Sequence, residues 1–173
     1  MLNKDIITRR TLLRKYRPAD KEEMIVLFMD KIVNHYMGSG PCKTKVHALE
    51  LFDKIHQIYE KPLNRHFEIW AIDVNEQLAG HFELKQSKYT EANELEVVYM
   101  LHRKHWGKGL MPEILHSINA HAHLLNQQLI ATINPENIRT VRALEKVGID
   151  RQQWIDKGKD KTLKVWIERF KDF

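Results

Sequence analysis

Gly107 and Gly109 stand two apart in the stretch RKHWGKGLM (103–111), with Lys104 and Lys108 beside them and the apolar run LEVVYML directly before. Glycine has more backbone freedom to lose on folding than any other residue, so two this close imply a sharp bend or a close approach to the main chain. A glycine turn that opens a helix gathers N–H groups with no partner inside the helix, and the helix dipole adds partial positive charge at the same end. The chemistry this allows is anion binding, with the lysines as point charges suited to phosphate. Pro112 fits the first helical turn, where its missing N–H removes only a donor that had no partner. Two familiar phosphate loops are excluded by position. A Walker loop needs Ser or Thr after Gly107-Lys108 and glycine at 102, but the chain has Gly109 and His102 there; a dinucleotide fingerprint needs Gly or Ala at 112. A tight turn holding no ligand would use the same glycines.

The elements that must position this turn follow from periodicity. TLLRKYRPAD predicts a strand ended by Pro18, with Asp20 as N-cap of the next helix. Met24, Ile25, Phe28 and Ile32 recur at helical spacing and predict a helix from Lys21 to Val33. GSGPC (38–42) breaks it, and Val46, Leu49, Leu51, Phe52, Ile55 and Ile58 carry a second helix. HFEIWAIDV and LAGHFELKQ read as strands joined in a hairpin at NEQ, and ELEVVYML as a third, more buried strand. Leu110, Ile114, Leu115, Ile118, Ala122 and Leu125 form an amphipathic stripe. QLIATI reads as a strand and PENIRTVRALEKVG as a helix stopped by Gly148. IDRQQWID and TLKVWIERF close the chain as a hairpin around KGKD. This order predicts a mixed α/β (α+β) sheet in a single domain over 1–173, not a regular βαβ array.

Composition narrows the class. A chain of 173 residues with 43% hydrophobic and 29% charged residues can bury a core without staples. One cysteine, Cys42, forms no internal disulfide, and the first residues lack a signal-peptide stretch, so the expectation is a cytoplasmic protein that makes no use of a membrane. The formal charge of +5 does not signal nucleic acid. The densest basic tract (156–164) alternates with aspartates, and no aromatic-and-basic module for stacking bases is present. His121 and His123 point to different faces of one helix and lack the carboxylates or cysteines of a zinc set, so no metal is expected. Trp70, Trp106, Trp154 and Trp166 read as core or rim aromatics, and Cys42 as a loop thiol with no base beside it.

WGKG leading into a helix, preceded by ELEVVYML and followed by IATINPENIRTVRALEKVGI, resembles the GNAT superfamily of acyl-coenzyme A N-acyltransferases, with the closest likeness to the ribosomal-protein N-terminal acetyltransferase branch. The strong part spans roughly residues 93–150, and LLRKYRPAD is similar to that branch's opening strand. The resemblance implies a mostly antiparallel central sheet with helices on both faces. It implies that Lys104, His105, Trp106, Gly107, Lys108 and Gly109, with Leu110 and Met111 opening the next helix, cradle the coenzyme A pyrophosphate. Met100 and Leu101 would meet the pantetheine arm through their main chain. Asn137 matches the asparagine that contacts the cofactor, and Thr140 the usual serine. Lys104 departs from the usual Gln or Arg, and Ile149 from the usual Phe.

The implied co-substrate is acetyl-CoA and the implied acceptor a primary amine of a small molecule or protein N-terminus, in a monomer or homodimer. Such a transfer needs an amine freed of its proton, since alkylamines titrate near pH ~10. It also needs a donor for the oxyanion and a partner for the leaving thiolate. Glu96 is the candidate base, directly or through water. It shares a strand face with Val98 and Met100, and loss of solvent there readies a carboxylate to accept a proton; a salt-bridged or edge carboxylate is the other reading. Tyr99 shares the opposite face with Leu95, Val97 and Leu101. Where many members carry a leaving-group tyrosine this chain has Leu144, so Thr140 or water must serve, with Tyr99, read first as a core residue, the weaker alternative. The same gap keeps open a non-catalytic acyl-coenzyme A-binding or sensor domain. The two helices over 21–60 and the loop HYMGSGPCK are expected to line the acceptor groove, and the basic charge disfavours polycationic acceptors.

Overall fold

The computed structural model describes residues 4–60, 67–147, 149–157 and 160–167, with side chains through Val147. Gly148, the central residues of the KGKD turn and the side chains of Ile149, Trp154 and Trp166 lie outside what is described. The chain divides into two compact units, residues 1–83 with 99–108, and residues 84–98 with 109–173.

The first unit holds β1 (Ile6–Ile7), β2 (Leu12–Arg14), α1 (Lys21–Met29), α2 (Lys45–Glu60), β3 (Phe67–Val74) and most of β4 (Gln77–Lys85). The strands neighbour one another in chain order. β1 and β2 are antiparallel, and so are β2 and β3, with Leu13 opposite Ile72 and Arg14 opposite Ala71. The β3–β4 hairpin turns at Asn75 and Glu76, with φ of 52° and 66°. Two successive left-handed residues match the right-handed twist of the flanking strands, and Asn tolerates that region well. Tyr16, Met24, Phe52, Ile55, Ile69, Ala71 and Leu78 make one core cluster; Ile25, Cys42 and Ala48 make another. Cys42 lies in the loop between the two helices, as expected, but is buried there, and burial pushes its thiol up, away from nucleophilic use.

Two local expectations are corrected. Asp20 occupies the position before α1 but makes no side-chain cap there. Its carboxylate accepts instead from the Arg17 amide at 2.6 Å and from both terminal nitrogens of Arg14 at 2.6 and 2.9 Å. The Arg14 Nε donates to Asp73 at 2.7 Å, so one guanidinium ties β2 to β3 and to the entry of α1. Helix α1 also stops at Met29, four residues short of Val33. The Asp30 carboxylate takes the amides of Ile32 and Val33 at 2.8 and 3.2 Å, and the Asn34 amide donates to the carbonyls of Leu27 and Asp30, both at 2.9 Å. These side chains compete with the helical ladder, and Ile32 ends up exposed.

The second unit takes most of β5 (Glu94–Leu101), then α3 (Leu110–Leu124), β6 (Gln128–Ile133), α4 (Ile138–Glu145), β7 (Ile149–Lys157) and β8 (Asp160–Ile167). Strand order is β5-β6-β8-β7. β5 and β6 are parallel, with Glu96 opposite Ile130; β8 is antiparallel to both β6 and β7. α3 packs on β6 and α4. The element order follows the sequence reading, with β1 and two short 3-10 turns added, and the strands form the expected mixed, mostly antiparallel α/β fold. The exception is the burial of β5. β3 is buried without interruption from Glu68 to Asp73, whereas β5 is only half-buried at Val98 and Tyr99.

Candidate active site

Three groups of residues carry the expected chemistry. The first is the turn after β5. Buried His102 donates its amide to the Ala79 carbonyl at 2.9 Å, and a 3-10 turn over Arg103–His105 follows. The Trp106 indole N–H donates to the Leu101 carbonyl at 2.9 Å, which fixes the ring and takes up one oxygen of the residue expected to meet the pantetheine arm. Met100 is held against β4: a Cβ on Gly80 would overlap the Met100 carbonyl oxygen, so this glycine serves close approach.

Gly107 and Gly109 have φ of 72° and 73°. Here glycine is needed for conformation rather than space, since a Cβ at Gly107 would meet nothing within 4 Å. Gly109 is the N-cap of α3 and offers no side chain to satisfy the first helical amides. Among the described residues, the amides of Gly107, Lys108 and Gly109 have no hydrogen-bond partner. Arg10 donates to the Lys108 carbonyl at 2.8 Å, bracing the turn from a distant part of the chain. Lys104 and Lys108 are exposed and make no ion pair with a described carboxylate, while Arg103 is bonded to Asp30 at 2.9 Å. Burial, then Lys104 and Lys108, push the His105 imidazole below its usual value. Burial also lowers His102, with Lys104 adding to it against Glu23. Both rings are then neutral at pH 7 chiefly through burial, and the nearby Lys104 and Lys108 give an incoming anion a positive potential to meet.

The second group is Glu96, 7% exposed on β5. The Thr132 hydroxyl donates to its Oε1 in a short hydrogen bond. Thr132 lies two residues beyond Ile130, the parallel register partner of Glu96, and so presents its side chain to the same face. Sequence reasoning missed it, because the pairing of β5 with β6 is not written in either segment. Among the described residues no cation pairs with Glu96.

The third group is the entry of α4. Asn137 and Thr140 are brought together: the Asn137 side-chain oxygen accepts from the Thr140 amide at 3.4 Å, a long N-cap bond. The Thr140 hydroxyl makes no hydrogen bond to described residues. Leu144 is fully buried on the same helix, an apolar side chain that can supply no proton. Among the described residues no cluster of His, Cys, Asp or Glu could hold a metal ion, and no helix is long and apolar enough to cross a membrane.

A GNAT acetyltransferase domain model matches residues 10–150. The chain is 24% identical over 169 residues to an uncharacterised N-acetyltransferase, p20, of Bacillus licheniformis, covering 94% of this chain and 93% of that one. Among solved structures it is similar to RimJ of Mycobacterium smegmatis in complex with CoA-disulfide, with a TM-score of 0.79, 14% identity, and 95% and 87% of the two chains covered. It is also similar to a GNAT-family acetyltransferase of Bacillus anthracis, with a TM-score of 0.74, 20% identity, and 94% and 96% covered. A third is the spermidine N-acetyltransferase of Vibrio cholerae with CoA and spermine, with a TM-score of 0.71, 17% identity, and 91% and 95% covered.

Proposed function

The chain belongs to the GNAT acetyltransferase family, and on that premise we propose that it transfers an acetyl group from acetyl-CoA to a primary amine by direct attack in a ternary complex. The observation that carries this is the turn from Lys104 to Gly109 leading into α3: two left-handed glycines, with three amides and two exposed lysines that have no partner among the described residues. These groups, with Leu110 and Met111, would hold the pyrophosphate of the donor. The residues present fit that anion, since amides at a helix N-terminus and exposed cations are what phosphate requires. Met100 and Leu101 would align the pantetheine arm, with Asn137 and Thr140 reaching the cofactor near its thiol.

Glu96 is the base in this reading. Its carboxylate is shielded from water and held by the Thr132 hydroxyl, with no described arginine or lysine against it. The amine loses its proton to Glu96, directly or through water, and its nitrogen attacks the thioester carbon. The nitrogen gives up its second proton to water, the C–S bond breaks as the tetrahedral oxyanion collapses, and the leaving thiolate takes a hydrogen bond or a proton from Thr140 or water. The buried Leu144 at the usual tyrosine position favours one rival, a coenzyme A-binding domain without chemistry.

A thiol-release assay with acetyl-CoA across small amines, amino sugars, polyamines and peptide N-termini decides between the two. Release that depends on an amine supports the enzyme. Tight CoA binding with no amine-dependent release supports the rival.

A further inference from the structure

The pairing of β5 with β6 runs from Glu94 opposite Gln128 to Glu96 opposite Ile130. Glu96 is thus the last β5 residue in that parallel ladder, while β6 continues to Ile133. On its other side β6 stays in register with β8, which pairs with it antiparallel from Leu129 through Ile133. Thr132 therefore lies two residues past the last β5–β6 pair, on backbone that β8 holds in place. Side chains two apart on a strand share a face, so Thr132 stands on the face of Ile130 and of Glu96. Its hydroxyl carries the contact on where the ladder stops, donating to Glu96 Oε1. Thr132 is half-buried and Glu96 buried, and both belong to the second unit.

Two features make this bond directive. Threonine is stiff at χ1, because two heavy atoms on Cβ leave few rotamers, so on a laddered strand it aims its hydroxyl narrowly. Glutamate has among the most rotamer freedom to lose when it is ordered. A carboxylate only accepts, so the hydroxyl is the donor and one of the two oxygens is taken. Among the described residues no group hydrogen-bonds the second oxygen. The other carboxylate on this face, Glu94, is engaged elsewhere: its Oε2 accepts from the Glu91 amide at 3.0 Å. Val97 and Val98, which follow Glu96 on β5, carry no hydrogen-bonding side chain.

We infer that Thr132 is a positioning residue for the transfer: it fixes Glu96 Oε1 and so assigns Oε2 as the atom that takes the proton of the amine. The inference rests on the reading above in which Glu96 is the base. In that step an N–H bond of the ammonium breaks and an O–H bond forms at Oε2, directly or through water. The proton passes to solvent before the next turnover. Thr132 itself exchanges no proton; it supplies orientation. A base confined to one pose has already lost the freedom that the transition state would otherwise take from it.

The test compares the wild-type chain with Thr132→Val, Glu96→Gln and the double variant, in thiol release from acetyl-CoA with the most active amine of the panel above. Valine keeps the branched shape and strand preference of threonine and removes only the hydroxyl. Thr132→Val should lower kcat roughly 10- to 100-fold, the range of a lost hydrogen bond to a charged group, with the amine KM and the calorimetric CoA affinity near wild type. Thr132→Ser keeps the donor and should recover most of that loss. In the Glu96→Gln background Thr132→Val should cost nothing further, because residues that act through one another are not additive. A merely structural threonine would lose the same factor in both backgrounds. Losses that multiply, or wild-type kcat in Thr132→Val beside an impaired Glu96→Gln, overturn the inference and leave Glu96 as the base. Wild-type rates in Glu96→Gln overturn the base assignment and the inference with it. A wild-type chain with no amine-dependent release overturns the transferase reading itself.

Discussion

Asp20 and Asp73 in the first unit and Glu96 in the second are buried carboxylates held in opposite ways. In the first, Asp20 and Asp73 are locked to Arg14, itself 3% exposed. Burial alone would raise the Asp20 carboxyl, but the Arg14 guanidinium and the Arg17 amide outweigh it and hold it below its ordinary value. In the second, Glu96 is as deeply buried but is bonded by a neutral hydroxyl. A carboxylate neutralised by a buried cation is spent on architecture, because protonating it would strand the cation. Protonating Glu96 would strand no described cation. Within the first unit the cations divide in a similar way: Arg14 is closed off by two aspartates, while Lys104 and Lys108 are exposed and pair with no described carboxylate.

The largest effect expected from breaking this contrast is at Glu96. Gln preserves size and hydrogen bonding but accepts no proton, so Glu96→Gln should lower kcat/KM about 10²–10⁴-fold and remove the acid limb of the pH–rate profile, with CoA affinity near wild type. A loss that disappears at high pH would instead mean that the amine deprotonates in bulk water.

Arg14→Met should do the reverse, destabilising the chain by about 3–5 kcal/mol in denaturant unfolding because it strands two buried carboxylates. Its pH dependence has a definite sign. With its folded value depressed, Asp20 contributes stability above the ordinary carboxylate range and loses it as pH falls through the lower folded value. Removal of Arg14 should therefore flatten the acid side of the stability curve.

Asn137→Ala should cost about 1 kcal/mol of thermal stability through loss of the α4 cap. A rise in CoA KM beyond what that loss explains would mark a second role toward the cofactor. Lys108→Ala is the mildest: a change of about 2- to 5-fold in CoA affinity, the worth of one exposed charge pair, shrinking with added salt and leaving stability unchanged.

What the sequence made legible was local. β5 and β6 emerge with the bounds read from ELEVVYML and QLIATI because each apolar run is flanked by residues that end strands. The glycine turn was legible because positive φ at 107 and 109 is a demand on single residues. The overlong α1 shows the limit of periodicity: Ile32 continues the apolar stripe, but Asp30 captures the next two amides, a contest between backbone and side chain that spacing does not register. Partners distant in sequence were invisible. Asp20 reads as a cap until Arg14 and Asp73 are folded against each other, and Thr132 gains a role only through strand register.

The direct test of the central claim is CoA binding by calorimetry to the wild-type chain and to Gly109→Val. At a φ of 73°, valine is strained and places bulk where the pyrophosphate is expected to lie. The account predicts a folded variant whose CoA affinity falls roughly 10- to 100-fold, the range of one charge-assisted hydrogen bond, with little change for pantetheine, which lacks the pyrophosphate. Unchanged CoA affinity in a folded Gly109→Val chain would contradict it.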